Sequence, residues 1–191
     1  MIERYTATHH ARFNIAHQQV APVQLADGER ALRWGLLAPW QGHGGKRGPM
    51  VFAATEADIA RTPHLRTARA KRRALVLADG FYAWRKLGKK RQPYWVHAPA
   101  PVTFAAIVAT HKDDAVESFA LVLVPAIAPG NQVIDAMPAV VDARWLDAPD
   151  LVTLPLDGWR ADAVSNHVDD ETHDDPRCIE TLGNPAQGEL F

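Results

Sequence analysis

Short runs rich in β-branched and aromatic residues, separated by turn signals, dominate the chain. Residues 20–25, 31–36, 75–77, 94–96, 102–110 and 119–124 are of this kind and predict strands. Asp27-Gly28, Leu87-Gly88 and Asp113-Asp114 supply turns between them. Residues 55–72 predict a helical stretch or helix pair, with Pro63 as a break or first-turn residue. Residues 142–146 and 157–163 predict short helices, and residues 41–49, with four glycines and a proline, predict a loop. Strands interspersed with helices, without regular βαβ alternation, predict an α+β fold with mainly antiparallel pairing.

Composition narrows this to one globular unit. The chain has 191 residues, 47% of them hydrophobic and 23% charged, enough for a single sizeable core. No apolar run approaches the roughly 18 to 20 residues that span a bilayer, and the first residues lack a basic-then-apolar signal, so a soluble cytoplasmic protein is expected. Cys178 is the one cysteine, which excludes an internal disulfide framework and a Cys-rich zinc site. Nine histidines show no His-Glu-x-x-His spacing. His167 and His173 lie among acids and read as surface residues of an acidic loop; no metal and no cofactor is expected.

Charge is unevenly placed. Between positions 60 and 91, Arg61, Arg66, Arg69, Lys71, Arg72, Arg73, Arg85, Lys86, Lys89, Lys90 and Arg91 face one acid, Asp79. Between 142 and 180, eleven acids face Arg144, Arg160 and Arg177. Gathered on one face, the basic segment would suit a phosphate backbone; a solvated face with a basic hairpin tip is the alternative.

Five blocks carry a further signal. In chain order they are Arg12-Phe13-Asn14-Ile15-Ala16; Arg33-Trp34-Gly35-Leu36 with Pro39-Trp40; Ala78-Asp79-Gly80-Phe81-Tyr82-Ala83-Trp84; Gln92-Pro93-Tyr94 with Phe104-Ala105-Ala106-Ile107; and Val164-Ser165, Val168 and Asp174-Asp175-Pro176-Arg177-Cys178-Ile179. Together they resemble the SRAP family (SOS-response-associated peptidases, or abasic-site processing proteins). The resemblance implies an SRAP-like α+β fold, with mainly antiparallel sheets in a barrel-like core and peripheral helices. It also implies one domain over residues 1–183, with 184–191 an exposed tail.

The family's reaction closes a thiazolidine ring between an N-terminal Cys, through its amine and thiolate, and the aldehyde of an abasic site. This chain departs from the pattern at each reacting group. Ile2 stands at the Cys position, Phe52 at the Asn that holds the reacting group, Ala83 at the acid-base Glu and Ile134 at the assisting His; Ala54 replaces a phosphate-binding Arg. A lone carboxylate or imidazole without partners would be a costly polar group, so four apolar replacements are mutually consistent. The expectation is a stable fold with no thiazolidine chemistry and an apolar patch in place of the site. Cys178 reads as a structural thiol of the closing segment, and a displaced nucleophile is the alternative.

Binding is what the resemblance leaves. Arg4, Asn14, Pro39, Trp40, Trp84 and Arg85 match positions near the family's DNA-contacting face, where aromatics and cations suit single-stranded or damaged DNA. Separately, Gln187-Gly188-Glu189-Leu190-Phe191 resembles the bacterial sliding-clamp-binding peptide, with Gln187, Leu190 and Phe191 as anchors. Three function classes stand: a degenerate DNA-binding member, a protein-interaction module, and a divergent cross-linking enzyme using Cys178 or a lysine.

Overall fold

Hydrogen-bond pairing joins the strand-forming runs end to end into a closed ring. The structure is a computed structural model that describes residues 11–38, 50–111, 115–148 and 150–183. Strands β1 (Val20–Leu25) and β2 (Gly28–Trp34) form the first hairpin, turning at Ala26-Asp27, with Gly28 at a φ of +128° that side chains resist. After β3 (Ala53–Thr55) come helices α1 (Glu56–Arg61) and α2 (Pro63–Lys71). Two long strands follow, β4 (Arg73–Leu87) and β5 (Lys90–Thr110), and then β6 (Glu117–Pro125). β1 pairs with β2 and β4, β4 with β5, and β5 with β6, all antiparallel; β6 then pairs in parallel with β2 and closes a five-stranded barrel. β3 and β7 (Ala136–Pro138) extend the sheet from β6, while β8 (Val140–Val141) and β9 (Arg160–Ala163) attach to β5. The expected α+β, barrel-like architecture with peripheral helices is the one found.

Alternation along the strands decides what lies inside. In β1, Ala21, Val23 and Leu25 point inward and are buried, joining Val96, Phe104, Val108 and Phe119 in the barrel interior. A second apolar layer packs Ile59 and Leu65 of the helices against Leu36, Ile107, Val122 and Trp145. The helix pair follows local signals. Thr55 caps α1 through a capping box with Asp58, and Pro63 opens α2 in the first turn, where its missing N–H costs nothing.

Two features shape the β4–β5 ribbon. Gly88, at φ +59°, occupies the first central position of a two-residue turn between Leu87 and Lys90, a geometry that matches strand twist. Lower down, the register slips between Ala78 and Gly80, and a Cβ at Gly80 would lie 2.3 Å from the carbonyl oxygen of Val96. That position therefore requires glycine, and the bulge lets β4 bend from the barrel wall into the projecting hairpin.

The segment expected as a helix over 157–163 is instead a turn at Asp157-Gly158, with Gly158 at φ +74°, followed by β9. Pairing of Tyr94 with Ala163 and His97 with Arg160 overrides local helical preference, and the His97 ring nitrogen Nε2 meets an Asp162 carboxylate oxygen at 2.9 Å. Residues 142–146 form a single 3-10 turn, η2 (Ala143–Leu146), after η1 (Gly130–Gln132). Two further 3-10 turns, η3 (Asn166–Asp169) and η4 (Pro176–Ile179), lie against the outer face of the hairpin. The expected loop over 41–49, the Asp113-Asp114 turn and the tail from 184 lie outside the described residues.

Candidate functional site

Strand alternation sends Phe81 and Ala83 of β4 to one face, and Gly80, Tyr82 and Trp84 to the other. Ala83 is 1% exposed and belongs to the barrel-interior cluster with Val96 and Phe104. Ile134, placed after η1 by an N–H donated to the Gly130 carbonyl, packs against the same cluster. Two of the four positions at which the resemblance expects reacting groups, 83 and 134, thus share one apolar core. Phe52 lies in an adjoining stack: its carbonyl accepts the Trp34 indole N–H at 2.8 Å, and its ring lies parallel to His17 at 4.0 Å. His17 also meets Trp34 edge-on at 4.6 Å. Gly35, at φ +133°, makes room, since a Cβ there would stand 3.0 Å from the Phe52 ring. Ile2 lies outside the described residues. Ala54, where the resemblance expects a phosphate-binding Arg, is buried.

The imidazole of His17 was not singled out by the sequence. The one available signal was its place directly after the Arg12–Ala16 block of the resemblance. Packing against the aromatic stack lowers its pKa below 6.5 by desolvation, although its outer edge remains in solvent; the negative charge of Glu171 opposes the shift.

The opposite face of the hairpin is covered by a clasp. Tyr82 and Trp95 pack with Phe13 against Val164, Val168 and Cys178, and the Tyr82 hydroxyl donates to the Phe13 carbonyl at 2.6 Å. Burial pushes the Tyr82 pKa up, with Cys178 and Asp174 adding to the shift. The Asp174 carboxylate accepts the backbone N–H groups of Phe13 at 2.6 Å and Asn14 at 2.9 Å, and pairs with the Arg12 guanidinium. Burial would raise its pKa, but the hydrogen bonds from Asn14 and Phe13 and the Arg12 charge outweigh burial and hold it low.

Asn14 and Trp84 take part in the same clasp. Asn14 is 6% exposed, and its amide donates to the carbonyls of Val168 and Asp170. It ties the first described segment to η3. Trp84 is 37% exposed and donates its indole N–H to Asp169 at 2.6 Å. Arg85, the next residue, is exposed. Arg4, Pro39, Trp40, Gln187, Leu190 and Phe191 lie outside the described residues.

The basic segment divides in two. Arg69 pairs with Glu56 at 3.0 Å, and Arg72 pairs with Asp27 and Glu117; Arg69 and Arg73 place their guanidinium groups over Trp145. Those arginines are engaged in holding α2 and β4 to the body. Arg85, Lys86, Lys89, Lys90 and Arg91 instead form the exposed hairpin tip, with no ion pair to an acid among the described residues. Along the strand, Lys86 to Arg91 begin roughly 10 Å from Ala83, at about 3.3 Å per residue.

His173 lies in the acidic loop with its side chain 39% exposed, as expected, whereas His167 stands within η3 and is largely covered. The His167 side chain is 17% exposed, its ring lies parallel to that of His173 at 3.8 Å, and Nε2 meets Asp175 at 3.1 Å. Cys178 is fully buried, as a structural thiol would be. A cleft of about 360 Å³ is lined by Glu56, Ile127, Met137, Leu151 and Leu154 among others, and none of Phe52, Ala83 or Ile134 lines it.

Comparison with known proteins agrees with this geometry. The model of the SOS response associated peptidase (SRAP) family matches residues 2–168. The "Abasic site processing protein YoqW" of Bacillus subtilis is 30% identical over 86 residues, which is 43% of this chain and 38% of that protein. The "Abasic site processing protein HMCES" of Xenopus tropicalis is 22% identical over 191 residues, 80% of this chain and 57% of that one. The chain therefore spans well under two thirds of the length of these relatives. Among solved structures, a protein of Bacteroides thetaiotaomicron superposes with a TM-score of 0.71 at 16% identity, covering 95% of this chain and 90% of its own. A phage-related protein of Bordetella bronchiseptica gives 0.60 at 24% identity, covering 78% and 80%. With the family model matched over most of its length and the fold shared, the chain belongs to the SOS response associated peptidase (SRAP) family.

Proposed function

We propose that this protein is a binding member of its family, which holds single-stranded or abasic DNA without closing a thiazolidine on it. The observation that carries the reading is the burial of Ala83 among apolar barrel residues, where the family's reaction needs an ionisable carboxylate. Ile134, packed against the same cluster, offers no imidazole, and Phe52 offers an aromatic ring in place of an amide. The relatives named as abasic site processing proteins make abasic DNA the substrate class to test.

Support for binding comes from the hairpin tip. Five exposed cations project beside Trp84, a pairing of charge with an aromatic surface that suits a flexible single strand. The acidic run from Asp169 to Asp175 flanks the other side of Trp84 and would repel phosphates, which directs a strand toward the tip. The test is retention of a fluorescent single strand as a function of salt. Engagement of all five cations predicts a slope of log K against log salt of about −3.5, and replacing Lys89 and Lys90 by Gln reduces it by about 1.4. Absence of salt-sensitive retention at low salt would overturn the binding reading.

A further inference from the structure

The clasp segment brings together a nitrogen, an oxygen and a sulfur donor that belong to neither the barrel cluster nor the hairpin tip. His167 stands in η3, Asp175 is the N-cap of η4 and Cys178 lies within η4; their donor atoms all fall within 4.8 Å of one another. The three residues are held from several sides. Ser165 caps η3 through the His167 N–H, His173 stacks on the His167 ring while its Nδ1 meets the His167 carbonyl at 2.9 Å, and Asp175 accepts the Arg177 backbone N–H and pairs with the Arg177 guanidinium through both carboxylate oxygens. The Cys178 thiol is fully buried with a weak contact to the His173 carbonyl at 3.6 Å.

We propose that His167, Asp175 and Cys178 form a zinc(II) site that staples η3 to η4. The donor chemistry selects the ion. A thiolate with an imidazole favours zinc over magnesium or calcium, which prefer all-oxygen shells, and one carboxylate completes three protein ligands with a fourth position for water. Zinc bonds of about 2.0–2.3 Å place tetrahedral donors about 3.3–3.8 Å apart, so closure asks the widest pair to approach by about 1 Å, within reach of side-chain rotation. On binding, the Cys178 S–H proton is released to solvent, and His167 Nε2 gives up its contact with Asp175 for the metal, its hydrogen passing by way of solvent to Nδ1 so that the ring ligates as a neutral imidazole. A thiolate and a carboxylate offset the dication beside a neutral imidazole, and the Arg177 guanidinium, now paired with Asp175, is exposed enough for water to take over part of its solvation.

The site shares its chain segment with two anchors of the clasp. Asp174, next to Asp175, holds the Phe13 and Asn14 amides; Asp169, at the end of η3, holds the Trp84 indole. Zinc would thus fix the segment that positions Trp84.

Zinc titration of the full chain against a chromogenic chelator tests the proposal. The expected result is one zinc per chain, a melting temperature that rises with zinc concentration, and binding weakened about tenfold or more in each of His167→Gln and Cys178→Ser. Cobalt(II) substitution should give a thiolate-to-cobalt charge-transfer band. Because the buried Cys178 can be sensitive to any change, His167→Gln, at a partly exposed ring, serves as the second variant. Lack of saturable one-to-one binding, binding unaltered in His167→Gln, or a cobalt complex without the thiolate band would each overturn it.

Discussion

Restoring the family's carboxylate at position 83 should unfold this protein rather than reactivate it. Ala83 is 1% exposed in a cluster of apolar side chains, so Ala83→Glu must insert a longer side chain, and the described residues of that cluster offer it no polar partner. Overpacking costs about 1–3 kcal/mol. The acid escapes burial of a full charge by staying protonated, and holding it neutral at pH 7 against an ordinary glutamate pKa of about 4.3 costs about 1.4 kcal/mol per pH unit, close to 3.7 kcal/mol. The total, about 5 kcal/mol or more, is a large share of the roughly 5–15 kcal/mol that keeps a domain folded. Urea denaturation at several pH values gives the measurement, with Ala83→Gln as an uncharged analogue of similar shape. The pKa of the buried acid is raised, so below pH 4.3 its destabilisation falls to the overpacking loss that the glutamine variant shows at every pH, and it grows as pH rises toward neutrality. A glutamate variant within about 1 kcal/mol of the parent at pH 7, and without this pH dependence, would mean that position 83 faces an open polar cavity, and the reasoning would fail.

Three further outcomes follow from individual contacts. Asp174→Ala leaves the Phe13 and Asn14 amides without their acceptor and should cost about 1–3 kcal/mol in urea denaturation, with faster hydrogen exchange at those two amides; unchanged exchange would refute the clasp. Gly80→Ala drives a Cβ to 2.3 Å from the Val96 carbonyl, so soluble yield and melting temperature should both fall, whereas Gly88→Ala, with nothing within 4 Å, suffers only the strain of its positive φ. The His17 ring should titrate below 6.5 by NMR, moving up in Phe52→Ala and further down in Glu171→Gln. Because the unfolded chain binds that proton first, the His17 contribution to stability is complete above pH 6.5 and declines as pH falls toward the lowered native value.

Much of the barrel was legible because strand propensity and tertiary pairing agreed. The run 20–25 became β1 with those bounds, and Pro63 marked the division between α1 and α2. Residues 75–77 under-reported β4, which continues through the polar, glycine-containing stretch to Leu87 because β5 supplies a partner at nearly every position. The helix expected at 157–163 failed for the same reason: β9 exists only through its pairing with β5, a contact more than sixty residues away along the chain. For the site, the resemblance pointed to positions 2, 52, 83 and 134, and the side chains there are apolar wherever the fold places them. It could not assign Asn14 to the clasp, because the carbonyls that engage its amide lie 154 and 156 residues distant. Nor did any spacing rule point to His167, Asp175 and Cys178, which meet only when two 3-10 turns face each other.

Loss of the family's reaction is tested most directly by incubating the full chain with a single strand carrying an abasic site and resolving the mixture on a denaturing gel. The account predicts that no protein–DNA species survives denaturation, while the same mixture shows salt-sensitive association on a native gel. A stable covalent band would contradict it, and loss of that band in Cys178→Ala would identify the thiol that had taken over.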